Sequence, residues 1–195
     1  MAGYQYQKFV IYNGEMKKLS YEDIKSNRPD LQDLFRLPRF PVVTVLENIR
    51  SLYNVGSMFR TADAARIGYM YLCGYTPHPP RKEIEKTALG STESVPWEHS
   101  TKPAAVIRML KNQGFTIAAL EHTTTSISYH TYEYSYPLCI VVGNEVEGIS
   151  NEVISLCDVA LEIPMFGIKH SLNVAVAYGI VVYHSVMVYQ SKLAQ

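Results

Sequence analysis

The sequence predicts an α/β fold, a parallel sheet with helices on both faces, and three observations carry that prediction. Val42–Leu46, Tyr69–Cys73, Phe115–Leu120, Leu138–Val142 and Val159–Ile163 are apolar runs of strand length, rich in β-branched residues. Helical patterns at 55–66, 104–112 and 150–155 fall between them, and such alternation gives parallel strands buried on both faces. The last stretch, from about Ser171 or Leu172, is helical and apolar around its whole circumference, so it must be covered on more than one side.

The elements follow in order. Lys8–Tyr12, Asn13-Gly14 and Glu15–Leu19 read as a hairpin, because Asn-Gly tolerates the positive φ of a tight turn. Ser20 with Asp23 three residues on marks a helix start. Pro29, Pro38 and Pro41 then predict an irregular connector, so residues 1–41 form an extension and 42–195 the main domain. Residues 74–102 read as a long loop, and Gly114 closes the helix 104–112. A strand ends at Pro164, a loop containing Gly167 follows, and Ser171 is placed to cap the final helix. On that helix Leu172, Ala175, Val176, Gly179, Val182, Tyr183 and Val186 form one apolar face. Val174, Ala177, Tyr178, Val181 and Val188 make the other side nearly as apolar. One face is expected on the sheet and the other against a partner subunit. Residues 172–189 contain Asn173, Gly179, His184 and Ser185, which favours an interior helix over a bilayer span.

At 195 residues and 47% hydrophobic, the chain suits one ordinary domain with a short appendage. Eighteen basic and 18 acidic residues cancel, so a nucleic-acid partner would need a local basic surface, or one completed by a second subunit. Cys73, Cys139 and Cys157 lie in or beside apolar runs without metal spacing, which reads as reduced, buried thiols. With no signal peptide visible, a cytoplasmic protein without metal or membrane is expected. No Gly-rich fingerprint follows the first strand, and Lys86-Thr87 lacks a preceding phosphate loop. Nicotinamide and nucleoside-triphosphate chemistry therefore lose their main support.

Three segments carry the chemistry. The first runs from Asn48 through Asn54, Gly56 and Arg60 to Ala64; the second is Ile140-Val141-Val142-Gly143-Asn144-Glu145-Val146-Glu147-Gly148-Ile149-Ser150. The third is Ile163-Pro164-Met165-Phe166-Gly167-Ile168-Lys169-His170-Ser171-Leu172-Asn173. All three begin at the carboxyl ends of strands, where ligands bind in open α/β sheets. In this order they closely resemble the signature motifs of the SpoU family of SPOUT RNA methyltransferases, from about residue 42 to 190.

The resemblance implies a C-terminal deep trefoil knot, a homodimer and S-adenosylmethionine as cofactor. It implies transfer of a methyl group to a ribose 2′-hydroxyl of RNA, with tRNA preferred to rRNA. A catalytically silent RNA-binding protein that keeps the fold is the alternative, and an oxidoreductase on a doubly wound sheet is a distant third. By the same resemblance Leu120, Glu121, Gly143, Asn144, Ile163, Met165, Ser171 and Leu172 surround the cofactor, and Arg60, Asn54, Glu145, Ser171 and Asn173 serve catalysis. Because guanidinium stays protonated, Arg60 is expected to hold phosphate and stabilise growing negative charge rather than act as a base. Glu145 is expected to orient Asn54 or Arg60, whereas Glu147 falls outside the family pattern and His170 departs from it. Arg50, Arg66, Arg81, Lys82, Lys86 and Lys102 offer basic positions for RNA. Tyr129, Tyr132, Tyr134 and Tyr136 form either a base-stacking loop or an edge strand.

Overall fold

The computed structural model describes residues 17–26 and 28–194. The expected hairpin lies outside them apart from Lys17–Leu19, which form no strand. The chain divides after Pro38 into two units. In the first, α1 (Tyr21–Ser26) starts at the expected place: the Ser20 hydroxyl accepts from Asp23 N at 3.1 Å, and the Asp23 carboxylate accepts from Ser20 N at 3.0 Å. The expected irregular connector instead contains α2 (Leu31–Arg36), capped by Asp30, which accepts from Asp33 N at 2.8 Å. Six residues are too few to display a helical period in sequence.

The second unit holds β1 (Phe40–Glu47), α3 (Leu52–Ala64), β2 (Ile67–Cys73), α4 (Lys82–Ala88), α5 (Ser91–Ser94), β3 (Trp97–Ser100), α6 (Pro103–Asn112), β4 (Thr116–Leu120), β5 (Ile127–Ser128), β6 (Leu138–Val142), α7 (Asn151–Ile154), β7 (Val159–Glu162) and α8 (Val174–Leu193). The seven strands pair in parallel in the order β3-β2-β1-β6-β4-β7-β5. Each strand sends alternate side chains to opposite faces. Val42, Leu46, Ile140 and Val142 pack under α3 and α8, with Val55, Met58, Phe59, Tyr178, Val181 and Val182. Val43, Val45, Ile117, Ala119, Cys139 and Val141 pack under α6 and α7, with Ile107, Leu110 and Val153. The two-faced α/β sheet is as the sequence predicts.

Three further readings are corrected. The loop expected at 74–102 contains α4, α5 and β3, which are short pieces at the sheet edge with weak periodicity. The final helix begins at Val174, and its cap is Asn173 rather than Ser171: Asn173 Oδ1 accepts from Ala175 N at 2.9 Å and Val176 N at 3.3 Å. The tyrosine segment is neither an edge strand nor a free stacking loop. Tyr134 is buried and donates to Tyr129 O at 2.8 Å, and Tyr136 donates to Ser185 O within α8. Lys192 Nζ donates to Tyr134 O at 2.7 Å, and His184 lies edge-on to Tyr129 at 5.1 Å. These residues strap α8 onto the sheet.

Candidate active site

The site is assembled at the amino end of α3. Ser51 caps the helix weakly, accepting from Asn54 N at 3.3 Å, and no acidic residue lies in the first turn. The negative charge that the helix dipole favours there comes instead from Glu145, in the loop after β6. One Glu145 oxygen accepts from Arg50 N at 2.9 Å; the other accepts from Ser51 N at 3.1 Å and Asn54 Nδ2 at 2.9 Å. Partial burial pushes the Glu145 carboxyl up, but the donors from Arg50, Asn54 and Ser51 outweigh it and hold the group below its ordinary range. It is thus a poor proton acceptor and a good anchor.

An ionised carboxylate only accepts, so the Asn54 amide must present its nitrogen to Glu145. Its oxygen then accepts from Asn173 Nδ2 at 3.1 Å, and the Asn173 oxygen is left to cap α8. A single polar chain, Glu145–Asn54–Asn173, joins all three signature segments, and its polarity is set by one charge.

The loop carrying Glu145 is braced on every side. Asn144 is buried and its side chain makes four bonds: Nδ2 donates to Asn48 O at 2.9 Å and Tyr75 Oη at 2.8 Å, while Oδ1 accepts from Val146 N at 2.8 Å and Glu147 N at 2.9 Å. Glu47, buried at the end of β1, accepts from Ser150 N at 2.9 Å and Ser150 Oγ at 2.6 Å. Glu121 accepts from Ile149 N at 3.0 Å and His122 N at 2.9 Å. Gly143 is required because the loop folds back on itself: a Cβ there would lie 2.3 Å from Gly148 C and Ile149 N. Glu47 and Tyr75 were not singled out for chemistry in the sequence. Glu47 could have been flagged as a charged residue ending a buried strand.

Arg60 stands apart from this chain. It is exposed and makes no hydrogen bond or ion pair among the described residues. Six residues beyond Asn54, it lies on a different face of α3, in an open groove of about 490 Å³ with Ser57, Thr61, Lys86, Thr87 and Tyr183. The expected link from Glu145 to Asn54 is present; none joins Glu145 to Arg60. Of the other basic positions, Arg66 places its guanidinium over the Phe40 ring at 4.7 Å, a packing role.

Leu120 ends β4 and Ile163 immediately follows its neighbour β7, and both are half-buried. Beyond them the loop through Met165, Ser171 and Leu172 is open. Phe166 and Ile168 are 98% and 101% exposed, and no amide from Met165 to Leu172 donates to an acceptor among the described residues. Apolar side chains beside unused backbone donors suit a ligand with a flat ring and polar edges. His170 is exposed and makes no bond among the described residues.

Comparison with known proteins agrees with this geometry. The family described as SpoU rRNA Methylase matches residues 41–183. A tRNA (guanosine(18)-2′-O)-methyltransferase of Aquifex aeolicus is 30% identical over 86% of this chain and 79% of its own. The crystal structure of the A. aeolicus TrmH/SpoU tRNA modifying enzyme superposes with a TM-score of 0.75 at 30% identity, covering 83% of each chain. An AdoMet-bound rRNA methyltransferase from Sinorhizobium meliloti superposes at 0.71 with 29% identity, over 78% of this chain and 59% of that protein.

Proposed function

The chain belongs to the SpoU rRNA methylase family, and from that premise we propose that it is an S-adenosylmethionine-dependent RNA 2′-O-ribose methyltransferase, acting on tRNA in preference to rRNA. The observation that carries the reading is the Glu145–Asn54–Asn173 chain, which ties together the three segments that define the likeness. All five expected catalytic residues are present, which disfavours a silent binding protein.

The cofactor supplies an electrophilic methyl group on a sulfonium. Leu120, Ile163, Met165 and Leu172 furnish apolar surface for its adenine, and the amides around Ser171 read its polar edge. Gly143, Asn144 and Glu121 contribute by fixing the neighbouring loop. Arg60, with Lys86 beside it, holds a phosphate of the RNA and stabilises negative charge growing on the 2′-oxygen. Asn173, pinned by Asn54, fixes the start of α8 and so the exit of the cofactor loop.

The protein acts as a homodimer in the cytoplasm. Val176, Tyr183 and Met187 form an exposed apolar stripe on α8 at intervals of seven and four residues, which supports a second copy covering it. The three free cysteines suit a reducing compartment. A trefoil knot at the C-terminus belongs to the same reading, and the bonds from Tyr136 to Ser185 O and from Lys192 to Tyr134 O, which hold α8 against residues 129–136, support it. The test is incorporation of labelled methyl groups from S-adenosylmethionine into RNA from a strain lacking the gene, followed by mapping of 2′-O-methyl sites. New ribose methylation in tRNA is expected; no transfer to any RNA overturns the reading.

A further inference from the structure

We infer that Tyr75 is a stacking platform for a nucleobase of the RNA substrate, and that it couples base binding to the catalytic loop. The inference rests on the methyltransferase reading above and adds to it the residue that receives a base. Tyr75 lies just beyond β2, on the same edge of the sheet as the motif loops, and its side chain is 58% exposed. An exposed tyrosine ordinarily samples several rotamers, but this one is fastened at both ends. Its hydroxyl accepts from Asn144 Nδ2 at 2.8 Å, and its amide donates to Asn48 Oδ1 at 3.1 Å. Asn48 holds a positive φ of 57°, a conformation that costs a non-glycine residue energy, in the turn where its side chain meets Tyr75. A ring held in place by its polar tip, with an open π-face, has little left to lose in entropy when a base stacks on it.

Two features give the platform its direction. Asn144 is followed directly by Glu145, so the amide that fixes the ring also anchors the loop that holds α3 and Asn54. Beyond Tyr75, His99 bonds Gly74 O at 3.0 Å, and His78 lies against His99 at 4.7 Å and over Trp97 at 6.1 Å. A row of exposed or half-exposed rings thus leads away from Tyr75, suited to a single-stranded stretch whose bases are unpaired.

The test compares wild-type, Y75L, Y75F and Y75W in methyl transfer to total RNA from a strain lacking the gene, with KM and kcat resolved. Wild-type activity is read first, with RNA binding by wild-type and Y75L titrated beside it. No transfer with binding still weakened in Y75L defeats the methyltransferase reading and not the placement of Tyr75, and no transfer with equal binding defeats both. With activity present, Y75L is expected to raise the KM for RNA by about 10- to 100-fold, the range for loss of one stacked base, with the KM for S-adenosylmethionine unchanged. Y75W is expected to restore most of the lost RNA affinity, while Y75F, which keeps the ring but frees its tip, raises the RNA KM only a few-fold and lowers kcat a few-fold through the loosened Asn144. An unchanged RNA KM in Y75L overturns the inference. So does a change in oligomeric state for Y75L, which would assign the ring to a protein contact.

Discussion

Replacing Glu145 by Gln separates the anchoring role of this carboxylate from a proton-transfer role. The amide oxygen of Gln can still serve Ser51 N and Asn54 Nδ2, but its nitrogen would face Arg50 N, donor against donor. One hydrogen bond is lost, worth about 1 kcal/mol, together with a charge at the α3 amino end worth about 0.3–1 kcal/mol. Because the group is exposed, water compensates part of this, and the sum stays near 1–2 kcal/mol. For a chain of this size that lowers Tm by about 2–8 °C at neutral pH. The folded-state carboxyl lies below its ordinary value, so its stabilisation is complete above pH 4.5 and is lost as pH falls through the folded value. Calorimetry of wild-type and E145Q at pH 7, 5 and below 4 is the assay. The Tm gap should persist at pH 5 and close in acid. A gap that is the same at every pH, or that widens in acid, would refute the view that the ionised carboxylate pins α3.

Two further substitutions probe other parts of the site. Arg60→Lys keeps the charge in the groove but loses the planar fork; kcat is expected to fall about 100- to 1,000-fold with Tm and S-adenosylmethionine affinity unchanged, as measured by single-turnover transfer and calorimetry. Gly143→Ala forces a Cβ onto the Gly148 backbone, costing about 1–3 kcal/mol. It should lower both Tm and cofactor affinity in thermal and binding titrations, and wild-type affinity in that variant would show that the loop can give way.

The strands of the core were legible because each is a short apolar run buried on both faces, so composition alone marks Leu138–Val142. The edge was not: β3 reads Trp-Glu-His-Ser, with half its side chains in solvent, and α4 and α5 are too short to show a period. The start of α8 was misplaced because Ser171 and Asn173 are both good caps, and only the partner settles the choice. Asn54 reaches Asn173 at 3.1 Å, which orients that amide for the α8 amides. The motifs offered Asn54 or Arg60 as the partner of Glu145 and the structure has Asn54, yet the bracing by Glu47 and Tyr75 depends on strand order, which periodicity does not encode. The tyrosines at 129–136 were misread for a related reason. Alternation suggested exposure on one side, whereas α8 returns to cover them.

The polar chain and the basic groove share one rigid body, helix α3. Its amino end is held by Glu145, and its buried face by Val55, Met58, Phe59 and Ala62. What brings Lys86 alongside Arg60 is the close contact of α3 with α4 at Gly56. A Cβ at Gly56 would lie 2.1 Å from Thr87 Oγ1 and 2.3 Å from Ile84 O, so any side chain there must push α4 away. Thr87 can rotate, but the Ile84 carbonyl belongs to the helix backbone and cannot. Gly56→Ala should therefore cost about 1–3 kcal/mol of stability and also open the groove between Arg60 and Lys86. In a methyl-transfer assay this appears as a raised KM for RNA, and binding becomes less sensitive to salt, since a phosphate then meets one cation at a time and fewer counterions are released. The KM for S-adenosylmethionine should stay fixed, because none of the residues expected around the cofactor lies on α4. If Gly56→Ala weakened cofactor binding and left RNA binding intact, Lys86 and Arg60 would not form a common phosphate site.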